Sequence, residues 1–476
     1  MPEQDRFKEF NKKRMEIFKE LLKYEWKGHL RNEDLEEVTE NIIDKYNYTE
    51  KEIPFIKDHI RVAMGLNPNH SEIFNQELEE MRDNARIESP ILSKIEGACQ
   101  HCGEEFEECD CFDSCKYEAQ MYKKSTGPII IEDDCLTCGR CTVKCSYGAL
   151  ADKIEFIPMV DLLQDKKTRV FAAVAPSIAG QFGDDISMGQ LRTAFKLMGF
   201  EDMVEVALFA DILTIKEAYE FDQLVTTKED FFLTSCCCPV WINMVEGSYP
   251  ELFEHMSPSI SPMIASGRFL KKLYPDAKVV FISPCTAKKA EAKNPQLEEA
   301  IDFVITYQEM KEVFEVLKTK LEELPEDDKD HASFAGRVYA RTGGVSLSVK
   351  TVVNRIAPDR LIHLRAKKVH GVKECKDILE ELKSKKGIGA NFIEGMGCIG
   401  GCVGGPKTNN EREAGTSIVN EYGEESLIMT PMDNMNIIRI LKECGLNKFS
   451  DIYEKEEIIA LLARTSEKNK KTEIKS

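Results

Sequence analysis

No stretch of this chain approaches the roughly 18–20 consecutive apolar residues of a membrane span. The opening residues, MPEQDRFKEF, carry no apolar core, so a secretory signal is excluded and a cytoplasmic location is expected. Positive charge is also short. Over 476 residues, 64 Lys and Arg stand against 83 Asp and Glu, a net charge of −19. Nucleic-acid binding relies on clustered Lys and Arg, so neither nucleic acid nor a membrane is an expected partner. Wholesale disorder is excluded too, because hydrophobic residues make up 42% and charged residues 31% of the chain, ordinary values for a folded protein.

Cysteine is absent from residues 1–95 and abundant after them. The chain holds 17, and nine fall between residues 96 and 158. In a large chain without a secretory signal, that usage points to metal or catalysis rather than to a disulfide scaffold. Residues 1–95 read as a helical segment. Phe7, Phe10, Ile17, Leu21 and Leu22 share one helical face, Asn32 is placed to cap a second helix carrying Leu35, Val38, Ile42 and Tyr46, and Lys57–Leu66 suggests a third. This period implies a cap or docking module rather than chemistry. Residues 96–160 form a small cysteine-rich domain. From 161 to 463 short apolar runs alternate with helical stretches. Val170–Val174, Phe231–Leu233, Lys278–Ile282, Asp302–Thr306 and Asn391–Ile393 read as buried strands, and Gln190–Met198 and Tyr307–Lys320 as helices. The alternation predicts an α/β domain with a mainly parallel sheet. Glu322–Asp330 reads as an acidic surface loop and residues 464–476 as a charged, frayed tail.

Cys135, Cys138, Cys141 and Cys145 follow the C-x2-C-x2-C-x3-C spacing of a bacterial ferredoxin. Three such thiolates hold corners of one 4Fe–4S cubane, while the fourth serves a neighbouring cluster. Ser146 stands where ferredoxins place proline. A zinc site is the bland alternative, but structural zinc sites space their two cysteine pairs further apart. Upstream, Cys99, Cys102, Cys109, Cys111 and Cys115 form a distorted partner run. The assignment is one cluster on Cys99, Cys102, Cys111 and Cys145, and a second on Cys115, Cys135, Cys138 and Cys141. Cys109 is an alternative to Cys111, and His101 reads as exposed rather than as a ligand. The acids between Glu104 and Asp110 either lower a cluster potential or form a solvated face. Two cubanes make a one-electron wire.

The later cysteines sit in three loops: Cys236, Cys237 and Cys238 in TSCCCPVW, Cys285 in SPCTAKKAE, and Cys398 and Cys402 in EGMGCIGGCVGGP. Each follows an apparent strand. Loops leaving the carboxyl ends of parallel strands converge on one crevice, so the three are expected to meet and hold a further 4Fe–4S cluster. Glycines around Cys398 and Cys402 allow close approach of backbone to a bulky group. Lys288 either sets a cation beside an anionic cofactor or is a surface lysine. Cys375 and Cys444 show no partner pattern.

These three motifs, in this order and with this internal spacing, resemble the signature motifs of FeFe-hydrogenases, over about residues 97–445. The TSCCCP form of the first motif and the short GGCVGGP ending of the third resemble the group B subfamily. The resemblance implies a ferredoxin-coupled enzyme that interconverts hydrogen with protons and electrons at an H-cluster. That cofactor is a cubane bridged to a diiron subsite with carbon monoxide, cyanide and azadithiolate, inserted by dedicated maturases. Cys238, Cys285, Cys398 and Cys402 would ligate the cubane, and Cys402 would bridge to the diiron subsite. Lys288, Ala175, Pro176, Ser177 and Met396 would line the cofactor. Cys237, Ser257, Glu217 and Glu220 would carry protons, a set whose members can each give and accept one. Cys236, Ser283 and Met263 depart from the better known group A pattern, which alters polarity around the subsite. The implied architecture is an α/β H-cluster domain with mainly parallel sheets, preceded by a ferredoxin-like two-cluster domain and the helical segment. The rival readings are a hydrogen sensor and an iron–sulfur assembly scaffold. The presence of Lys288, Cys237 and the Glu pair argues against the scaffold.

Overall fold

The computed structural model describes residues 9–84, 87–97, 99, 110–123, 127–234, 237–297, 299–384 and 387–464. Phe7, His101, Cys102, Cys109, Cys236, the acids from 104 to 108 and the tail beyond Arg464 lie outside the described residues. Two compact units divide the chain. One comprises Met1–Lys167, Cys285–Ala290 and Phe303–Lys320, and the other Thr168–Pro284, Glu291–Asp302 and Leu321–Ser476.

The first unit begins with helices Phe10–Gly28, Asn32–Tyr46 and Ile53–Ala63. The expected apolar face is real: Phe10, Ile17, Leu21, Leu22, Leu35 and Val38 are fully buried. Two boundaries differ from the sequence reading. Asn32 is the first helical residue rather than the cap. The cap is Arg31, whose N–H donates to Asp34 Oδ2 at 2.8 Å, so a carboxylate inside the first turn does the work assigned to Asn32. The third helix starts earlier than Lys57, because Pro54 sits in its first turn, where a missing N–H costs nothing.

Short antiparallel pairs then frame the cysteine region. β1 (Leu92–Lys94) pairs with β4 (Leu150–Asp152), and β2 (Gln120–Lys123) with β3 (Gly127–Ile130). Helix Ile157–Asp165 closes this stretch, with Phe156 edge-on to Phe18 at 5.2 Å between ring centres. Helix Tyr307–Val316 packs on Phe10–Gly28, with Lys19 3.4 Å from Glu312.

In the second unit β5 (Val170–Val174) lies between β6 (Asp202–Glu205) and β8 (Lys278–Ser283), all parallel. A further parallel sheet runs β10 (Ala366–His370), β11 (Phe392–Met396), β7 (Phe232–Leu233). β9 (Phe303–Thr306) belongs to the first unit. β5 and β11 are buried along their whole length, as expected of parallel strands covered on both faces. The architecture is therefore α/β with mainly parallel sheets, as the alternating pattern predicted. Helix Ala207–Leu224 is buried almost all round, and its interior positions include Asp211, Thr214, Lys216, Glu217 and Glu220. Five polar side chains on a buried helix must find partners, and those partners define part of the site.

Candidate metal centre

Each of the three cysteine motifs follows the carboxyl end of a parallel strand. The first follows β7, the third follows β11, and Pro284 extends β8 directly into Cys285. Thr234 N–H donates to Ile393 O at 3.1 Å, tying the start of the first motif to β11. Trp241 Nε1 donates to Thr234 O at 2.7 Å, folding the helix after Cys238 back over the loop. Gly397 N–H donates to Cys238 Sγ at 3.2 Å, so the first and third motifs touch at a cysteine sulfur. Lys407 N–H donates to Pro284 O at 3.1 Å, and Ala175 N–H donates to Ile282 O at 3.0 Å. The end of the third motif and the Ala175–Pro176–Ser177 stretch thus both contact the strand end that precedes Cys285.

Close packing explains two of the glycines. A Cβ on Gly395 would stand 2.2 Å from Trp241 Cδ2, and one on Gly404 2.0 Å from Ile399 O. Ser177, Met263 and Met396 are buried, and the Ser283 hydroxyl is buried with no hydrogen-bond partner among the described residues. A buried hydroxyl left unmatched by protein beside a glycine-lined, thiol-bearing loop fits an inorganic group with acceptor atoms. Cys375, which the sequence left unassigned, is buried on helix Val372–Lys383 and donates to Met396 O at 3.4 Å. Burial, then the neighbouring Cys238 charge, pushes its thiol up.

Of the residues assigned to proton transfer, Ser257 and Glu220 meet at helix Ala207–Leu224. Ser257 N–H donates to Leu233 O at 3.0 Å, anchoring Ser257 at the end of the strand that feeds the first motif. Its hydroxyl donates to Glu220 Oε2 at 2.6 Å. Glu217 is fully buried one turn earlier on the same helix. Cys237 is half-buried next to Cys238, the residue that caps helix Pro239–Ser248. Two members were missed. Lys216 Nζ contacts Glu220 Oε1 and donates to Ser259 Oγ at 2.9 Å, and Ser259 N–H donates to Ser257 Oγ at 3.2 Å. The signal for Lys216 was its four-residue spacing from Glu220 on one helix.

In the first unit the loop from Cys135 to Cys141 is wrapped around its own sulfurs. Thr137 N–H points at Cys135 Sγ at 3.4 Å, with Thr137 and Gly139 both at positive φ. Burial pushes the Cys135 thiol up to about 11, with Cys138 and Cys115 adding like charge. Cys138 and Cys141 are pushed up by burial first, and Cys115 again repels each of them. Three buried thiols whose ionisation is opposed in this way fit a polycation that would hold them as thiolates. With Cys115 beside them, they are the four assigned to the second accessory cluster. Of the first set, Cys111 and Cys145 are buried, Cys99 packs against Gly127, and Cys102 lies outside the described residues. Thr286, the residue after Cys285, donates its hydroxyl to Thr137 O at 2.8 Å and fills the space beside Gly139. Lys288 is buried near Lys289 rather than exposed on a surface.

Residues 168–406 match the family model described as iron only hydrogenase large subunit, C-terminal domain. The chain belongs to this family. Iron hydrogenase 1 of Clostridium pasteurianum is 29% identical over 304 residues, which cover 54% of this chain and 53% of that protein. The cytosolic Fe-S cluster assembly factor NAR1 of Yarrowia lipolytica is 23% identical over 365 residues, covering 57% and 73%. The FeFe-hydrogenase HydA1 from Chlamydomonas reinhardtii shares the fold with a TM-score of 0.52 and 21% identity, over 63% of this chain and 94% of that one. The chain spans about half the length of the hydrogenases it matches first, 53% and 55%. All three motif loops fall inside the part of the chain that the family model covers. The cysteines of the first accessory run lie before it. Among the described residues no helix is long and apolar enough to cross a membrane.

Proposed function

We propose that this chain is an FeFe-hydrogenase of the group B kind, interconverting hydrogen with protons and electrons. Cys238, Cys285, Cys398 and Cys402 would hold the cubane of an H-cluster, with Lys288, Ala175, Pro176, Ser177 and Met396 around its diiron subsite. When bound, that cofactor supplies the hydrogen chemistry and the redox change. The protein positions the cofactor, excludes water and moves the proton. Cys237, Glu217, Ser257 and Glu220 carry that proton between the subsite and solvent. Two accessory 4Fe–4S clusters, one on Cys115, Cys135, Cys138 and Cys141 and one on Cys99, Cys102, Cys111 and Cys145, pass electrons to ferredoxin or a similar soluble carrier. The fit of the Thr286 hydroxyl to the Cys135–Cys141 loop, one residue from Cys285, supports the cluster on Cys115, Cys135, Cys138 and Cys141 as the inner one. Assembly requires the H-cluster maturases, and the reaction belongs in the cytoplasm.

The observation that carries this reading is the buried Ser257–Glu220 hydrogen bond of 2.6 Å, hung from the strand that leads into the cysteine loop. A scaffold needs thiols for a cubane but has no use for a carboxylate relay in its core. The similarity to NAR1 keeps the scaffold as the second reading. Infrared spectra of the anaerobically matured protein, with and without hydrogen, decide between them. Bands of iron-bound carbon monoxide and cyanide that shift under hydrogen, followed by measured turnover, support the enzyme. Cubane iron without such bands, in the presence of the maturases, supports the scaffold. Shifting bands without turnover would indicate a sensor.

A further inference from the structure

We propose that Lys216 is a positioning residue of the proton relay: its ammonium holds Glu220 as a carboxylate and thereby sets the direction in which the Ser257 hydroxyl points. The inference rests on the hydrogenase reading above and extends it to a residue outside the motif set.

Lys216 is 1% exposed on helix Ala207–Leu224, and Glu220, one turn later, is 3% exposed. A buried lysine is retained only with strong partners, and here they are specific. One N–H of the ammonium goes to Glu220 Oε1, and another to Ser259 Oγ at 2.9 Å. On the other side of the carboxylate, Ser257 Oγ lies 2.6 Å from Glu220 Oε2 and receives Ser259 N–H at 3.2 Å. Ser259 N–H occupies one lone pair of Ser257 Oγ, and a carboxylate held by the ammonium can only accept, so the Ser257 hydroxyl hydrogen is directed at Glu220. Both carboxylate oxygens are then acceptors, and Glu220 has no proton of its own to give. Tyr453, on the short helix Asp451–Glu454, is a titratable group facing Glu220 from a neighbouring element. Burial first, and the Glu220 charge second, hold its phenol up.

This polarity sets the starting state of the relay. In the outward step the Ser257 O–H bond breaks as a bond forms to Glu220 Oε2, and the Ser257 oxygen takes a replacement proton from the inner end of the relay. Ser257 ends unchanged and Glu220 ends neutral, still held by Lys216. In either direction Glu220 must take a proton against the attraction of the ammonium for its anion, and the inward step also needs Ser257 to turn. Lys216 thus governs how readily the relay loads, whichever way the proton runs.

Lys216→Met, Lys216→Arg and Lys216→Met/Glu220→Gln test this in two readouts. The first is the infrared carbonyl band of a protonated carboxyl, followed against pH in protein carrying its cubanes but no diiron subsite. Wild type and Lys216→Arg should lack a band that Glu220→Gln removes. Lys216→Met should gain one, and the double variant should lose it again. The second is the pH profile of hydrogen evolution in matured protein, which should move to higher pH in Lys216→Met and return in Lys216→Arg, with the carbon monoxide and cyanide bands unmoved. A Glu220 carboxyl band already present in wild type overturns the proposal, as does a Lys216→Met protein without one. If Lys216→Met fails to fold, the comparison of wild type with Glu220→Gln still decides. Absence of turnover in wild type itself counts against the hydrogenase reading, while the band comparison continues to report the charge state of Glu220.

Discussion

Removing the ammonium of Lys289 should loosen the first unit more than any surface change. Its Nζ is fully buried and donates to Lys153 O at 2.6 Å and Glu309 Oε1 at 2.6 Å, with Asp152 Oδ2 at 3.5 Å. Arg14, from the first helix, meets Asp152 Oδ1 at 2.9 Å. Burial alone would depress Lys289, but Glu309, Asp152 and Glu155 outweigh it and hold the amine above its ordinary range. A raised amine contributes stability at every pH below its unfolded value and loses it only as pH climbs through the folded one. The contribution should therefore be flat across neutral pH. Lys289→Met leaves Asp152 to Arg14 and strips the ammonium from Glu309 Oε1. Breaking a buried pair from one side costs about 3–5 kcal/mol, roughly two to three and a half decades in an opening constant. Because the chain has two units, a single unfolding free energy is poorly defined. The assay is amide exchange by mass spectrometry on peptides spanning 140–155 and 303–316. Lys289→Met/Glu309→Gln should recover part of the loss, since Gln keeps an acceptor for Thr306 N–H, now 2.8 Å from Glu309 Oε2, without an unpaired charge. Less than tenfold acceleration in Lys289→Met, or no recovery in the double variant, refutes the reasoning.

Burial pushes Asp211 up to about 7, against Ser333 and Asn434 donors that favour its charged form. The folded state then keeps a proton that the unfolded chain has lost. Stability should fall as pH rises from the ordinary carboxylate range toward 7 and level off above it, and Asp211→Asn should flatten that fall in urea titrations. Gly395→Ala places a methyl 2.2 Å from the Trp241 ring. Overpacking of that kind costs about 1–3 kcal/mol, so Tm and iron content should drop together, and an unchanged Tm would contradict the packing. Ser257→Ala removes the hydroxyl between Ser259 and Glu220 and should lower hydrogen turnover about a hundredfold or more. The infrared bands of the cofactor should stay in place, and unchanged turnover would remove Ser257 from the relay.

Periodicity exposed the strands because a parallel strand buried on both faces must be apolar throughout. Val170–Val174 appears in the structure with the same bounds, and Lys278–Ile282 is longer by one residue. Helix starts were less legible. The cap at Arg31 works through Asp34 in the next turn, a pairing with several sequence-equivalent alternatives around Asn32. Residue type and spacing announced the cysteine loops, since few chemistries demand thiols at such intervals. They also named Glu220 and Ser257 by resemblance, but did not say that the two touch.

Residue type, spacing and hydrophobic period are local, and they were enough to determine an α/β chain with cysteine loops at strand ends and a helical N-terminal segment. Partnership between distant residues is not local. Lys216 reads from sequence as one more helical lysine until the 257–259 segment, hung from β7, brings Ser257 and Ser259 against the same helix. Lys289 likewise becomes a buried cation only because Asp152, Lys153 and Glu309 close over it. Desolvation makes each of these charges dependent on its partners, and desolvation is decided by tertiary packing alone.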